Sequence, residues 1–533
     1  HPGLLSYLKK NNINVGEDLD ILSNRFHDVL SALTGVNHSS DYINTIMNGN
    51  YCLTGDNLLK MLAIYARLRC GVPVVLMGEC GCGKTMLIKY LCAWLGVNLL
   101  ILDVHGGTSE NDILNIFEKA ELILSSKKTT EVFVFLDEIN TCAYMALMNE
   151  AICHRSLNGK HISNGIHILA ALNPYRKRPE RESMPGLVYQ LHNNNANSPI
   201  IDPMSQLVYR VHPIPHTLRD FIFDFGALTP AKEMVYIFSM VSSKFPIESE
   251  AVRQLVTEMI SASQEYIREI EQEESSASLR DVRRCLNLIE FFSTKVNKKS
   301  NTVRARPISS FACSVVLGLA FVYYYRLGSE EHRNGYWEEI GPLSTTVVWG
   351  SRKLKGQGFD GLKKEGAFAK LLSSVQQNFC NNVKVEDGIA MNQALMENIF
   401  VVLICILNRI PIFLVGKPGS SKTLTMQVIA SNLQGKQSEI PFWRKFPAIY
   451  IFQYQCSPMS DSHSIQHQFD MAVRYQEHAE NTITVLLLDE VGLAEHSPDM
   501  PLKVLHSMLI DPSVAIVGLS NWVLDPAKMN RAI

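Results

Sequence analysis

The chain has 533 residues, a formal net charge of −2 and a hydrophobic content of 46%. This length predicts two to four domains, and the near-zero charge gives no general electrostatic reason to expect a nucleic acid or an anionic membrane as partner. The 12 cysteines include no CxxC pair, which is typical of a reducing compartment and argues against a zinc site in this stretch.

The first predicted module begins after a helical lead-in of residues 1–55. The segment NLLKMLAIYARLR predicts an amphipathic helix. The residues expected on its apolar face are Leu58, Leu62, Tyr65 and Ala66. The apolar run VPVVLMG then ends at Gly78 and predicts a buried parallel strand. It leads into the glycine-rich loop GECGCGKT and a further helix, MLIKYLCAWLG.

Two later strands of this module end in polar residues. VFVFLDE ends in Asp137 and Glu138, and IHILAALN ends in Asn173. Strands that alternate with helices predict a doubly wound, parallel α/β sheet with its ligand at the carboxyl ends of the strands. We expect this first α/β core to span residues 56–214.

The middle of the chain predicts mainly helices. Residues 215–300 are interpreted as a helical lid on the first core, and residues 301–385 as a helical connector or insertion. The apolar run from Phe311 to Tyr325 is shorter than the ~18–20 residues that cross a bilayer. It therefore predicts a buried helix and no transmembrane segment.

The same order of elements returns in residues 386–533. A helix precedes the strand IPIFLVG, which ends at Gly416 and opens the loop GKPGSSKT. The strand ITVLLLDE brings Asp489 and Glu490, and VAIVGLSN ends at Asn521. The two loops begin 338 residues apart, at Gly78 and Gly416, and a repeat of this length is a domain-scale duplication. The absence of an initial Met or leader, and an end inside the second core, lead us to expect a piece of a larger protein.

Both loops carry the residues that hold nucleotide phosphates, the Walker A pattern. Glycines let backbone N–H groups wrap the phosphates, a lysine reaches the β- and γ-phosphates, and a hydroxyl ligates Mg²⁺. The first loop provides Gly78, Gly81, Gly83, Lys84 and Thr85. The second provides Gly416, Gly419, Ser421, Lys422 and Thr423. The expected ligands are ATP and Mg²⁺ at each site.

The polar strand ends supply the complementary Walker B chemistry. An aspartate at a buried strand end can hold magnesium, and the adjacent glutamate can orient and deprotonate the attacking water. The predicted metal ligands are Thr85, Asp137, Thr423 and Asp489. Glu138 and Glu490 are the predicted bases, with Asn173 and Asn521 positioning the water or contacting the γ-phosphate.

The second loop has a serine where the first has its last glycine. Any positive φ would cost Ser421 about 1 kcal/mol or more. Because every charged group is retained, we expect this site to bind nucleotide and to hydrolyse it. The serine is a handicap for the site and does not abolish it.

Taken together, these elements resemble tandem AAA+ ATPases. The phrases GECGCGKT, LDEINTC, LVYRVHPIP, SLRDVRRCL, VGKPGSSKT and LLDEVGLAEHSPDMPLKVLHSML resemble the mysterin family of giant AAA+ proteins that are also RING-type ubiquitin ligases. The likeness covers essentially the whole chain and implies the third and fourth of six AAA units.

The resemblance also implies roles for three arginines. In AAA+ rings each unit donates an arginine to its neighbour's γ-phosphate, where it stabilises transition-state charge. Arg210 resembles such a finger for the preceding unit, and Arg531 resembles one that completes the site around Lys84. Arg280, in the lid, resembles the sensor-2 arginine that couples lid position to nucleotide state.

Partners and location follow from the same resemblance. It implies contacts with neighbouring AAA units of the same chain. It also implies a ubiquitin-conjugating enzyme and ubiquitin as partners through domains outside this sequence, which contains no RING cysteine spacing. It implies a cytosolic protein that can be recruited to lipid droplets. Two alternatives stay open: a regulatory scaffold that binds ATP with little turnover, and a mechanical motor segment like those of dynein and midasin.

Overall fold

The fold forms two compact units. One comprises His1–Arg176 with Tyr209–Ser243, and the other Lys177–Val208 with Lys244–Ile533. The computed structural model describes residues 6, 9–10, 26–36, 51, 53–79, 81–126, 129–177, 207, 209, 211–226, 229–296, 310–343, 346–349, 352–355, 366–495, 497, 501–509, 512–522, 524 and 531–533.

The first unit is a five-stranded parallel sheet between layers of helices. Its helices are α1 Phe26–Thr34, α2 Gly55–Arg69, α3 Lys84–Leu95, α4 Glu110–Ser125, α5 Met145–Asn149, α6 His216–Arg219 and α7 Pro230–Lys244, the last of which ends at the unit boundary. Its strands are β1 Val74–Met77, β2 Asn98–Asp103, β3 Val132–Asp137, β4 Ser156–Leu157, β5 Lys160–His161, β6 Ile166–Leu172 and β7 Ile222–Asp224. The sheet order is β2-β3-β6-β1-β7, and β4 and β5 form a separate antiparallel hairpin.

Alternate residues of the strands enter two different cores. In β3, Phe133 and Phe135 pack with α1, α2 and α3 on one face of the sheet. Val132, Val134 and Leu136 pack with α4 and α5 on the other face. A strand buried on both faces must be apolar throughout, which explains the uninterrupted run before Asp137. The predicted doubly wound sheet is confirmed.

Two details of the prediction were wrong. Strand β7 lies within residues 215–300, which were interpreted as helical, and it pairs in parallel with β1. In α2, the buried apolar residues are Leu58, Met61, Ile64 and Leu68, whereas Ala66 is exposed and Leu62 and Tyr65 are partly buried. The helix carries apolar residues on more than one face, so periodicity alone did not select the right one.

The second unit combines a layer of helices with a second parallel sheet. Its helices are α8 Glu250–Glu271, α9 Leu279–Phe291, α10 Ser310–Leu319, α11 Glu330–Leu343, α12 Ala367–Cys380, α13 Gln393–Asn408, α14 Lys422–Asn432, α15 Ser462–His478, α16 Val491–Ala494 and α17 Leu505–Met508. Its strands are β8 Thr346–Trp349, β9 Arg352–Lys355, β10 Ile412–Val415, β11 Ala448–Gln455, β12 Thr482–Asp489 and β13 Ala515–Ser520. The parallel sheet has the order β10-β13-β12-β11, and β8 and β9 form an antiparallel hairpin.

The predicted buried helix of the connector is confirmed. Helix α10 continues into a π-helical turn, Ala320–Tyr324, and Val315, Val316 and Leu319 are fully buried. Within the described part of the chain, no helix combines the length and apolar character needed to cross a membrane.

Candidate nucleotide-binding sites

The first phosphate loop joins β1 to α3 at the carboxyl edge of the sheet. Gly81 and Gly83 have φ values of 84° and 93°, which glycine adopts without a steric penalty. Gly83 directly precedes α3, so the helix N-terminus opens onto the loop, as an anion site requires. The Lys84 ammonium is buried and donates to the carbonyl oxygens of Gly78 (2.6 Å) and Glu79 (3.0 Å).

The predicted metal ligands of the first site lie together. The Thr85 hydroxyl donates to Asp137 Oδ2 over 2.6 Å. Burial and the neighbouring Glu138 carboxylate raise the pKa of Asp137, while the Thr85 hydroxyl and the Lys84 charge oppose this shift. A hydroxyl and a carboxylate beside a phosphate loop are the oxygen donors that Mg²⁺ takes. The residues present therefore fit this ion.

Asn140 fixes the end of strand β6 in the first site. Its side-chain Nδ2 donates to the Asn173 carbonyl (2.8 Å), and its Oδ1 accepts from the Asn173 N–H (3.2 Å). Both asparagines are buried. Sequence reasoning missed Asn140, although its place two residues after Glu138 on the polar strand end was a usable signal.

The second site joins its lysine, asparagine and glutamate in one hydrogen-bonded chain. Lys422 Nζ donates to Asn521 Oδ1 (2.8 Å) as well as to the Gly416 carbonyl (2.8 Å). Asn521 Nδ2 in turn donates to Glu490 Oε1. Glu490 Oε2 is buried and has no hydrogen-bond partner among the residues that the structure describes. Burial lowers the pKa of Lys422, whereas the Glu490 and Asp489 carboxylates oppose this shift.

Ser421 and Thr423 of the second loop differ from the residues at the same positions of the first loop. Ser421 adopts a left-handed φ of 60° at the position of Gly83. The expected positive φ is therefore present, with its backbone strain of about 1 kcal/mol. Thr423 is exposed, and in the described chain its hydroxyl makes no hydrogen bond to Asp489.

Gly492 occupies in the second site the position that Asn140 occupies in the first. A Cβ at Gly492 would overlap the Ser520 hydroxyl and lie 2.8 Å from Trp522 Cβ. Ser520 Oγ instead accepts from the Trp522 N–H (3.0 Å) and donates to the Trp522 carbonyl (2.6 Å). The end of β13 is thus held by a serine on the strand itself.

Glu138 and Glu490 share an unusual backbone conformation. Their φ values are 56° and 52°, both left-handed. Non-glycine residues rarely adopt this region, and strain of this kind concentrates at functional sites. Its recurrence at both predicted bases supports a common role.

The structure places two of the three predicted arginines. Arg210 lies outside the described residues. Arg280 is in the first turn of α9, and its N–H donates to Ser278 Oγ (3.4 Å). Arg531 is buried in the second unit. The roles of all three arginines at a nucleotide remain predictions.

Arg284, which sequence reasoning missed, ties α9 to the segment that carries Arg531. The buried Arg284 guanidinium pairs with Asp281 (2.9 Å) and donates to the carbonyls of Arg531 and Ala532. The adjoining Ile533 exchanges backbone hydrogen bonds of 2.9 Å with Pro411 and Phe413, beside β10. The SLRDVRRCL phrase contained this residue, but nothing in it indicated a partner so far along the chain.

Glu79 is a further residue of the first loop that the sequence did not single out. Its Oε1 pairs with Arg176 (3.2 Å), and its Oε2 accepts from the Tyr209 hydroxyl (2.6 Å). Both partners are distant in the sequence, so only the fold brings them to the loop.

Two phosphate loops, each beside an Asp-Glu strand end of a parallel α/β sheet, define tandem AAA+ modules, a class that binds nucleotides. Two family models, each described as RNF213 AAA domain, match residues 51–176 and 388–533. The chain belongs to the RNF213 family, also called mysterin.

Named relatives agree with this assignment. The chain is 33% identical over 99% of its length to "E3 ubiquitin-protein ligase rnf213-beta" of Danio rerio, of which it covers 11%. It is 35% identical over 91% of its length to "E3 ubiquitin-protein ligase RNF213" of Homo sapiens, and 34% identical over 91% to that of Mus musculus. It covers 10% of each of these two proteins.

Proposed function

We propose that both modules bind ATP with Mg²⁺ and hydrolyse it, and that their nucleotide state controls the conformation of a larger ubiquitin ligase. The observation that carries the hydrolysis proposal is the carboxylate of Glu490. One oxygen is joined through Asn521 to the phosphate-loop lysine, and the other is buried without a partner in the described part of the chain. A buried acceptor of this kind next to a phosphate site can take a proton from water.

The residues of each site have distinct tasks in this proposal. Loop N–H groups receive the phosphates, and Lys84 or Lys422 moves its ammonium from loop carbonyls to the β- and γ-phosphate oxygens. Glu138 or Glu490 accepts the proton of the water that attacks the γ-phosphorus, and the neighbouring asparagine orients that water. Mg²⁺, held by the threonine and aspartate of each site, neutralises phosphate charge when bound.

The activity of the parent protein is a wider proposal. The names of the human, mouse and zebrafish relatives describe E3 ubiquitin-protein ligases. We infer that a ubiquitin-conjugating enzyme and ubiquitin engage other parts of such a protein, in the cytosol and at lipid droplets. In this scheme ATP hydrolysis changes the conformation of the two modules, and the change is transmitted to the neighbouring AAA units.

One observation favours a regulatory role for the second module. Ser421 is strained at the place where the first loop has glycine, and Thr423 is not joined to Asp489 as Thr85 is to Asp137. A site with these features would retain nucleotide while turning it over slowly. The mechanical-motor alternative has no such observation in its favour.

The test is ATP turnover of the full-length protein with Glu138→Gln, Glu490→Gln and both changes together. Each single variant should keep its nucleotide and reduce turnover at its own site by at least about tenfold, because a general base is lost. Lys84→Ala and Lys422→Ala serve as matched controls that remove nucleotide from one site at a time.

The outcomes separate the alternatives. Distinct losses in the two single variants and no turnover in the double variant would support two hydrolytic sites. Unchanged turnover in Glu490→Gln, with nucleotide still bound at Lys422, would make the second module a regulatory site. Unchanged turnover in the double variant would refute hydrolysis by these glutamates.

A further inference from the structure

We propose that Glu79 couples the first phosphate loop to Tyr209 and Val211–His212, here called the segment, so that nucleotide binding at Lys84 changes how tightly the segment is held. Glu79 would be a positioning residue, since it acts through other groups and takes no part in the chemistry. The proposal rests on nucleotide binding at this site, as proposed above.

Glu79 contacts the loop lysine and the segment at the same time. Its backbone carbonyl accepts from Lys84 Nζ (3.0 Å). Its carboxylate uses one oxygen for Arg176 (3.2 Å) and the other for the Tyr209 hydroxyl (2.6 Å). The Tyr209 side chain is only 2% exposed, so its hydroxyl depends on a protein partner.

The other end of the segment is held by Asn140. The His212 N–H donates to the Asn140 carbonyl over 2.7 Å. The side chain of this same asparagine fixes the backbone of Asn173 through two hydrogen bonds. Tyr209 is therefore held by the phosphate loop, and His212 by the residue that fixes the carboxyl end of β6.

A bound triphosphate changes the forces on Glu79 in a definite direction. Lys84 would leave the Glu79 carbonyl for the phosphates, which removes one restraint on this part of the loop. The phosphates would also repel the Glu79 carboxylate. Both effects favour contact of the carboxylate with Arg176 and Tyr209, so nucleotide should tighten the segment.

The second module provides the matched control. Lys417 stands at the position of Glu79, and Gly492 at the position of Asn140. A lysine cannot accept these hydrogen bonds, and glycine has no side chain to brace the strand end. The coupling is thus a property of the first module alone.

The experiment is amide hydrogen exchange of the full-length protein, with and without a non-hydrolysable ATP analogue. In the wild type, the analogue should slow exchange in residues 209–216 by about tenfold, the factor that one hydrogen bond to a charged group can supply. Glu79→Ala should bind the analogue but lose this difference, while Lys417→Ala should retain it. Glu79→Gln, which keeps an acceptor without the charge, should give an intermediate response.

Three controls keep the outcome decisive. Unchanged exchange in β3 and β6 would show that the Glu79→Ala variant is folded. If that variant does not fold, Tyr209→Phe takes its place, because it removes only the hydroxyl and should still weaken the effect of the analogue on exchange in the segment. A full response in Glu79→Ala or Tyr209→Phe would overturn the proposal. The proposal would also be overturned if exchange in the wild-type segment did not change although the analogue was bound at Lys84. If Lys84→Ala binds the analogue as well as the wild type does, the proposal that nucleotide binds at this site is refuted, which is a different outcome from failure of the coupling.

Discussion

The two nucleotide sites contain the same lysine, threonine, aspartate, glutamate and asparagine, yet they join them differently. In the first site the threonine is bonded to the aspartate, and the asparagine is fixed through its backbone. In the second, the asparagine side chain joins the lysine to the glutamate. Duplication has thus kept the groups that handle charge while the polar contacts that hold them diverged. The groups that handle charge do not by themselves determine which hydrogen bonds connect them.

The largest expected difference lies in the two asparagines. Asn521→Ala should reduce turnover at the second site by about a hundredfold, because it removes a side chain in direct contact with both the lysine and the base. Asn173→Ala should reduce turnover at the first site by less than about tenfold, since its described contacts are backbone contacts to Asn140. The measurement is single-turnover hydrolysis in the full-length protein, with the other site silenced by its lysine-to-alanine change.

Equal losses in these two variants would break the comparison. They would mean that nucleotide draws Asn173 into the same arrangement as Asn521.

A second, smaller effect is expected from exchanging the residues that hold the strand ends. Gly492→Asn should destabilise the β12–β13 region by about 1–3 kcal/mol, because the new side chain has to displace Ser520 and Trp522. Asn140→Gly should destabilise the end of β6 by a similar amount through two lost hydrogen bonds. Native-state hydrogen exchange reports these local free energies even where a multi-module protein does not unfold in two states.

The control for this pair is Gly96→Ala, at a left-handed glycine with no atom near its missing Cβ. That change strains the backbone without crowding. Exchange in β13 that responds no more to Gly492→Asn than to Gly96→Ala would show that Gly492 is not a packing constraint.

The smallest effect concerns the loop serine. Ser421→Gly should raise the local stability of the second loop by about 1 kcal/mol, because glycine relieves left-handed backbone strain. Gly83→Ser should lower the local stability of the first loop by a similar amount, since there is space for its Cβ and only the backbone opposes it. Native-state hydrogen exchange at the two loops checks both changes. Local stabilities that do not move in opposite directions would show that the serine is not strained.

The sequence was sufficient to predict the features that depend on local pattern. The strands that end at Met77 and Asp137 are continuous apolar runs up to the polar end, and the strand that ends at Leu172 is apolar apart from His167. The polar residues at these ends meet because the sheet is parallel. Strand β7 escaped prediction because its three residues are too few to show a period. These residues form a strand because they pair with β1 in the folded sheet.

The contacts around the sites could not be predicted in the same way. Glu79 occupies a variable place in the loop pattern, and its partners Arg176 and Tyr209 become neighbours only through the fold. Asn140 was closer to prediction, because it lies two residues after Glu138 at the Asp-Glu strand end. A residue type that can donate and accept at once, next to a catalytic strand end, was the available signal.

The buried guanidinium of Arg284 has a consequence for anyone who divides this protein into fragments. A cut after residue 300 would follow the repeat in the sequence, but it would separate Arg284 from the carbonyls of Arg531 and Ala532. Lysine could not replace it, since a compact ammonium lacks the planar fork that reaches Asp281 and two carbonyls together. The repeat in the sequence and the piece that could be excised intact therefore have different boundaries.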